Sequence, residues 1–449
     1  MGFEITKELL EDVKGYIDTS NNKSLLALFE EMHHADIAEV LDELSFDEAV
    51  FIIKLLDSET TSEVLMDVDD DVREKILQKL SAKEIAEEVE ELDSDDAADI
   101  IAELSEERQE AVMSQIEDEE HVKEIEELLA YDEDSAGGLM AKELVQVNEN
   151  WTVLKCVKEM RIQAEKVTRV HSIYVTNDKG TLKGRLSLKD LLIASTRTPI
   201  SEIYIPKVDS VNVDESGEEV ANIMRKYDLE AIPVVDNEGL LLGRITIDDI
   251  VDVIKEEADK DYQLAAGLVE DVEADDSILE LTKARLPWLI LGLFGGLGSV
   301  VIMEGFESAM NSYKELFFFT PLIAAMAGNV GVQSSAIIVQ GLANDNVKGS
   351  LWKRLLKEVG LSLINGLVLG VIVIAVAPLM HLSLQFSLTV SISMLCVIIV
   401  ASLIGTFVPI ILDKRGIDPA IATGPFITTS NDIFGIFLFF MIAKAFLPF

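Results

Sequence analysis

Cysteine is almost absent from this 449-residue chain: Cys156 and Cys396 are the only two. They form no metal-ligand spacing and no disulfide framework, as suits a chain facing a reducing interior. The five histidines supply no His-Glu-x-x-His, and no Gly-x-x-x-x-Gly-Lys phosphate loop occurs, which removes the metalloprotease and P-loop readings. The opening "MGFEITKELLEDVKGYID" lacks a basic stretch ahead of an apolar core, so no signal peptide is expected. Basic residues are scarce as well, 37 against 81 acidic ones, for a net charge of −44. Such a surface repels nucleic acid and anionic lipid headgroups and concentrates cations, so no nucleic-acid partner is expected.

The charge is unevenly spread. From Arg285 onward there are 9 basic and 8 acidic residues, whereas the first 284 residues hold 28 basic and 73 acidic. A strongly acidic water-soluble part is therefore joined to a nearly neutral apolar part. An excess of 45 negative charges in the first part destabilises a compact fold unless counterions relieve it.

Residues 1–132 read as helices, with apolar positions recurring at three and four between acidic turns. "ADIAEVLDELSFDEAVFIIKLL" from Ala35 returns as "KEIAEEVEELDSDDAADIIAEL" from Lys83, so that Ile37, Ala38, Leu44, Asp47 and Ala49 recur 48 places on. The pattern predicts a short α-solenoid. "DVDDDVREKILQ" is no calcium loop: Val72 stands where the turn needs glycine, and Gln78 where a bidentate glutamate belongs.

Residues 137–255 alternate short β-branched runs with helices. "IYVTNDKGTLKGRLSLKDLL" from Ile173 matches "IPVVDNEGLLLGRITIDDIV" from Ile232, each reading strand, turn, strand, helix. Gly-Arg-x-Ser/Thr-x-x-Asp at 184–190 and 243–249 resembles the tandem CBS domain, a regulatory α/β module that pairs into a disc. The resemblance implies a cleft that takes adenine nucleotide such as ATP, with Asp190 or Asp249 on the ribose and Ser187 or Thr246 near the phosphates. Many CBS pairs hold no nucleotide, and Ser or Thr at that place also caps the helix. An acidic amphipathic connector, about 250–284, then leads to the apolar part.

Five apolar spans follow, about 286–304, 316–342, 359–380, 386–412 and 420–444, each long enough to cross a bilayer. Lys283 and Arg285 precede the first. Lys348, Lys353, Arg354 and Lys357 lie between the second and third, and Lys414 and Arg415 between the fourth and fifth. By the positive-inside rule the N-terminal domains are cytoplasmic and the C-terminus lies outside a plasma or inner membrane. Asp432 is the clearest charge within a span. Its span also carries Thr423, Gly424, Pro425, Thr428 and Asn431, and Pro425 is expected to kink it and release backbone carbonyls. The second span carries Gly328, Asn329, Gly331, Gln333, Ser334 and Ser335. A carboxylate at membrane depth points to a wet cavity or an ion path.

"PLIAAMAGNVGVQ" from Pro321 and Asn-Asp-x-x-Gly from Asn431, in this domain order, resemble the MgtE family of magnesium channels. The fold class that follows is multidomain: a cytosolic α-helical solenoid (1–132), an α/β tandem CBS pair (137–255), a connecting plug helix with linker (250–284), and an all-α transmembrane domain of five helices (285–449). The resemblance implies a homodimer in membrane lipid with one pore. The family's selectivity carboxylate maps onto Asp432, and Asn329, Thr423 and the carbonyls near Gly328 and Gly424 suit the waters of Mg²⁺. The family's connecting helix, which plugs the pore, maps onto about 250–275.

Mg²⁺ bridging carboxylates is the expected brake. The candidates are Asp95 and Asp96 on the solenoid, Asp248, Asp249, Asp252, Glu256, Glu257 and Asp259 near the plug, and Asp418 in an inner loop. The rival functions are a cation-coupled exchanger, which would need coupling sites beyond one clear intramembrane carboxylate, and a CBS-regulated membrane enzyme, for which no motif speaks.

Overall fold

The computed structural model describes residues 5–448 apart from 168, 270, 271, 273–275, 344–346 and 348. Lys348 and the connector positions 270, 271 and 273–275 thus lie outside the described residues. The chain forms two compact units, 1–254 and 255–449, and the boundary falls inside the helix Ile247–Ala266.

Among the described residues, the first unit opens with ten short helices, from Lys7–Asp18 to Glu119–Leu128. Many start at a polar cap; Ser81, for example, forms a reciprocal capping box with Glu84. His34–Asp42 packs on Ser58–Asp67, that on Ala82–Val89, and that on Glu106–Met113. These four begin 24 residues apart, so the structural unit is a helix pair of half the length of the visible 48-residue repeat. The repeated Ile37 and Ile85, Ala38 and Ala86, and Ala49 and Ala97 are all buried, which gives the stack its continuous core.

Two small sheets follow. β1 (Val145–Asn148), β2 (Ile173–Thr176), β3 (Leu182–Leu186) and β4 (Ile205–Pro206) lie in that order. β5 (Val211–Asn212), β6 (Ala231–Val235) and β7 (Leu241–Thr246) form the second. In each, a parallel pair is joined through a helix, Val153–Gln163 or Gly217–Tyr227, and an antiparallel hairpin follows. The hairpins turn alike. Asn177 Oδ1 accepts from the N–H of Lys179 (2.9 Å) and Thr181 (3.0 Å), and Asp236 Oδ1 from Glu238 and Leu240 (both 2.8 Å). Gly180 (φ +82°) and Gly239 (φ +81°) supply the left-handed residue that each turn requires. The two tips bond to one another, Leu182 N–H donating to the Gly239 carbonyl at 2.9 Å and Leu241 N–H to that of Gly180 at 3.2 Å.

The second sheet shares its core with the helical stack: Val211, Ile232, Val234, Ile245 and Ile250 belong to the same apolar cluster as Ile85 and Ile101. The first sheet keeps a core of its own around Val147, Cys156 and Val175.

Among the described residues, the second unit holds five helices long and apolar enough to cross a membrane: Ile278–Gly305, Glu315–Ala343, Leu351–Met380, Leu384–Asp413 and Gly424–Phe446. The second, fourth and fifth spans pack on one another, while the first leans on the fifth and the third on the fourth. Most of the apolar surface of the first and third spans is exposed. Small residues set the close approaches. A Cβ at Gly405 would run into the Gly331 carbonyl, one at Gly331 into the Asn431 amide, and one at Gly295 into Thr429. Pro425 does not kink the fifth span: it occupies the first turn, where the missing N–H costs nothing.

Candidate ion site and regulatory carboxylates

In the second span, Gly328, Asn329, Val332 and Gln333 share one helical face. Facing them in the fifth span are Thr428 and Asp432, one turn apart. Together they line most of a recess of about 410 Å³. Gly328 keeps the floor low, since even a Cβ there would approach Thr428 Cγ2 to 3.2 Å and Asp432 Oδ1 to 3.6 Å. Asp432 is half-buried and has no ion-pair or hydrogen-bond partner among the described residues. A recess with one unpaired carboxylate, an exposed amide (Asn329) and a glutamine is suited to a cation that keeps its own water. Six waters at about 30 Å³ each occupy about 180 Å³, so the recess has room for a hydrated divalent ion.

Thr423 is not part of this recess. It is the N-cap of the fifth span, buried, and its hydroxyl donates to the Ala420 carbonyl at 2.7 Å. Asp418 is exposed and accepts from the Ala420 N–H at 2.7 Å, capping a short turn. Gly424 (φ +49°) lies against the connecting helix, for a Cβ there would collide with the Ala265 carbonyl. Gly267 (φ +88°) likewise abuts Pro425. The end of the connector therefore touches the start of the helix that carries Asp432.

Two residues stand outside the expected ligands: Asn431, read only as part of its span's motif, and Glu358, which the sequence reading missed. Asn431 is buried, with both ends of its amide unpaired among the described residues, and packs against Gly331 and against Val397 and Ala401 of the fourth span. Glu358 lies in the third span just before the apolar run and accepts from Ser334 Oγ at 2.6 Å. Ser334 was visible as a polar residue in an apolar helix; its partner was not, because the pairing crosses between helices.

In the first unit, Asp95 and Asp96 sit in the first turn of Ser94–Ala102. Burial, then Asp249, pushes Asp96 up to about 7, with Asp99, Asp93 and Asp248 adding to it. Burial, then Asp96 and Asp249, raises Asp95. Asp249 is raised chiefly by burial. Three of the expected brake carboxylates, with Asp248 beside them, are thus brought together from positions 150 residues apart. Asp47, the repeat counterpart of Asp95, stays exposed because nothing like the second sheet covers it. Arg244 is the resident cation nearby, its Nη2 at 3.0 Å from Asp93 Oδ2 and its Nε donating to the Glu143 carbonyl at 2.6 Å. Asp252, Glu256 and Asp259 occupy exposed positions of Ile247–Ala266, and Glu257 pairs with Lys260 at 3.2 Å.

The nucleotide candidates divide. Asp249 Oδ2 accepts from Thr246 Oγ1 (2.7 Å) and from its N–H (3.0 Å), and so caps its own helix while facing the acidic group. Ser187 caps Leu188–Ile193 by accepting from the Asp190 N–H, and the Asp190 side chain stands half-buried beside it.

Residues 320–442 match the MgtE "Divalent cation transporter" family, 32–134 the MgtE intracellular N domain, and 136–197 and 200–256 the CBS domain. The chain is 38% identical over 320 residues to a magnesium transporter MgtE of Enterococcus faecalis, covering 71% of this chain and 70% of that one. This chain belongs to the MgtE family of magnesium transporters. A Thermus thermophilus member is 37% identical over 317 residues, 70% of each chain. The solved cytosolic domain of a Mg²⁺ channel MgtE in complex with ATP superposes with a TM-score of 0.51 at 35% identity, covering 55% of this chain and all of that one. The MgtE relatives are named as transporters, a non-enzymatic role, and the family membership makes this a membrane protein with five apolar helices.

Proposed function

We propose that the protein is a Mg²⁺-selective channel of the cell membrane, working as a homodimer and closed by cytosolic Mg²⁺. The observation that carries this reading is the recess of about 410 Å³ in which Asp432 is the one carboxylate among the described residues. Across a two-fold axis two such carboxylates would face one hydrated ion, whose double charge neutralises both. A membrane potential draws a divalent cation inward with about 4–5 kcal/mol per 100 mV, so an open path needs a brake. The cluster of Asp95, Asp96 and Asp249, with Asp248 beside it, supports one. Without divalent ions its members repel; Mg²⁺ binds the compact arrangement better and favours it. The contacts of Gly267 with Pro425 and of Ala265 with Gly424 support a route from the connector to the fifth span. Of the expected brake carboxylates, Glu256, Glu257, Asp259 and Asp418 lie nearest in sequence to that route, and Asp252 lies one turn earlier than Glu256. The basic residues flanking the spans support cytoplasmic N-terminal domains and an external C-terminus.

A cation-coupled exchanger is the second reading, favoured by one observation: Glu358, bonded to Ser334, is a further carboxylate in a span. Adenine nucleotide at Asp190 is supported by the relative crystallised with ATP.

The test is Mg²⁺ flux into liposomes carrying the purified protein, over a series of Mg²⁺ concentrations on the cytoplasmic face. Flux should fall as that concentration rises, and Asp432→Ala should abolish it while the protein stays folded. Flux that persists in Asp432→Ala would refute the pathway, and flux indifferent to cytoplasmic Mg²⁺ would refute the brake.

A further inference from the structure

On the helix Glu119–Leu128, His121 and Glu124 are three residues apart and share a face. Glu143, just before β1, reaches the same place. One ring nitrogen of His121 and one carboxylate oxygen from each glutamate all lie within 4.8 Å of one another. Two ligand bonds of about 2.1 Å span at most about 4.2 Å, so closing on an ion needs only a small side-chain adjustment.

Each end of the group is oriented by a neighbour outside it. His121 Nε2 stands 3.2 Å from the Val89 carbonyl. A carbonyl can only accept, so Nε2 carries the proton and the neutral ring presents the lone pair of Nδ1. Ligating histidines are held in this way. Glu143 is gripped by the Ser94 N–H (3.1 Å) and Ser94 Oγ (2.9 Å). The nearby cations are engaged elsewhere: Lys142 Nζ is 2.6 Å from Glu127, and Arg244 is on Asp93.

An imidazole decides the chemistry. Mg²⁺ selects oxygen ligands in octahedral order and keeps its water, whereas one histidine with two carboxylates suits Zn²⁺, Co²⁺ or Mn²⁺. We propose that His121, Glu124 and Glu143 form a binding site for a divalent transition-metal ion, adjoining the all-carboxylate group through Glu143, which also lies within reach of Asp93 and Asp95. Water completes the shell. A bound ion ties the last solenoid helix to the segment entering β1, so the protein responds to a second class of cytosolic metal.

The test is Co²⁺ added to the full-length, detergent-solubilised protein in a large excess of Mg²⁺, read by the visible absorption of nitrogen-ligated Co²⁺. One equivalent should bind. Affinity should fall at least about 100-fold in His121→Ala, beyond what loss of an outer-shell partner costs, and should weaken in Glu124→Gln. His33→Ala, far along the chain, should bind as the wild type does. Glu124→Gln removes a repelled carboxylate, so it keeps the fold should His121→Ala lose it. Absence of the band, its persistence in His121→Ala, no weakening in Glu124→Gln, or its displacement by Mg²⁺ would overturn the proposal.

Discussion

Asp96→Asn should make the Mg²⁺-free protein more stable while making it less responsive to Mg²⁺. A carboxyl raised from 3.8 to about 7 carries about 4 kcal/mol of unfavourable charging in the folded state at 1.36 kcal/mol per unit. Asp95 and Asp249 share that repulsion, so one amide recovers only part of it, roughly 2 kcal/mol. Against this, the first turn of Ser94–Ala102 loses a negative charge at its N-terminus, worth about 0.3–1 kcal/mol. Repulsion is the larger effect. In a unit of this size roughly 1–2 kcal/mol raises the melting midpoint by about 2–8 °C. Saturation of the wild type at 100 times its dissociation constant adds about 2.7 kcal/mol, and the variant should gain clearly less. The assay is thermal unfolding of the cytoplasmic part, with chelator and across a Mg²⁺ series. A variant that melts lower than wild type in chelator, or one with an unchanged Mg²⁺ response, would refute the repulsion argument.

Protons should act as Mg²⁺ does. Asp95, Asp96 and Asp249 have folded values above their unfolded ones, so the folded state binds the extra protons, and stability rises as pH falls from about 7 toward 4. In chelator the melting midpoint should climb between pH 8 and 6, and saturating Mg²⁺ should flatten that slope; a midpoint flat or falling toward pH 6 without Mg²⁺ contradicts the assignment. Gly405→Ala should force the second and fourth spans apart at the Gly331 carbonyl, costing about 1–3 kcal/mol. Gly292→Ala meets open space and should be neutral; equal thermal resistance of the two variants in detergent would show that this helix contact is not tight.

The parts of the architecture that depend on local pattern were legible. Charge segregation separated a soluble half from an apolar one, five apolar runs became five long helices, and the Gly-Arg-x-Ser/Thr-x-x-Asp copies became two hairpin-and-helix units. Asp432 declared itself because a carboxylate at membrane depth is costly unless an ion or water meets it. Boundaries were less legible. The third helix starts at Leu351 rather than 359, because amphipathic turns continue below the apolar run, and that hid Glu358. Thr423 looked like a ligand by its neighbours, yet a local hydroxyl-to-carbonyl bond takes it out of the recess. Pro425 read as a kink and is a helix start.

By itself, then, the sequence determined what each segment is: period, hydropathy and charge are properties of neighbours along the chain. Only the tertiary structure decided which groups meet. Asn431 and Asp432 are adjacent, but about 100° of helical rotation sends the amide against Gly331 and the carboxylate into the recess. Asp95 and Asp47 are repeat equivalents, but only Asp95 is buried and faces Asp249, which makes it a strained acid while its twin remains an ordinary surface one.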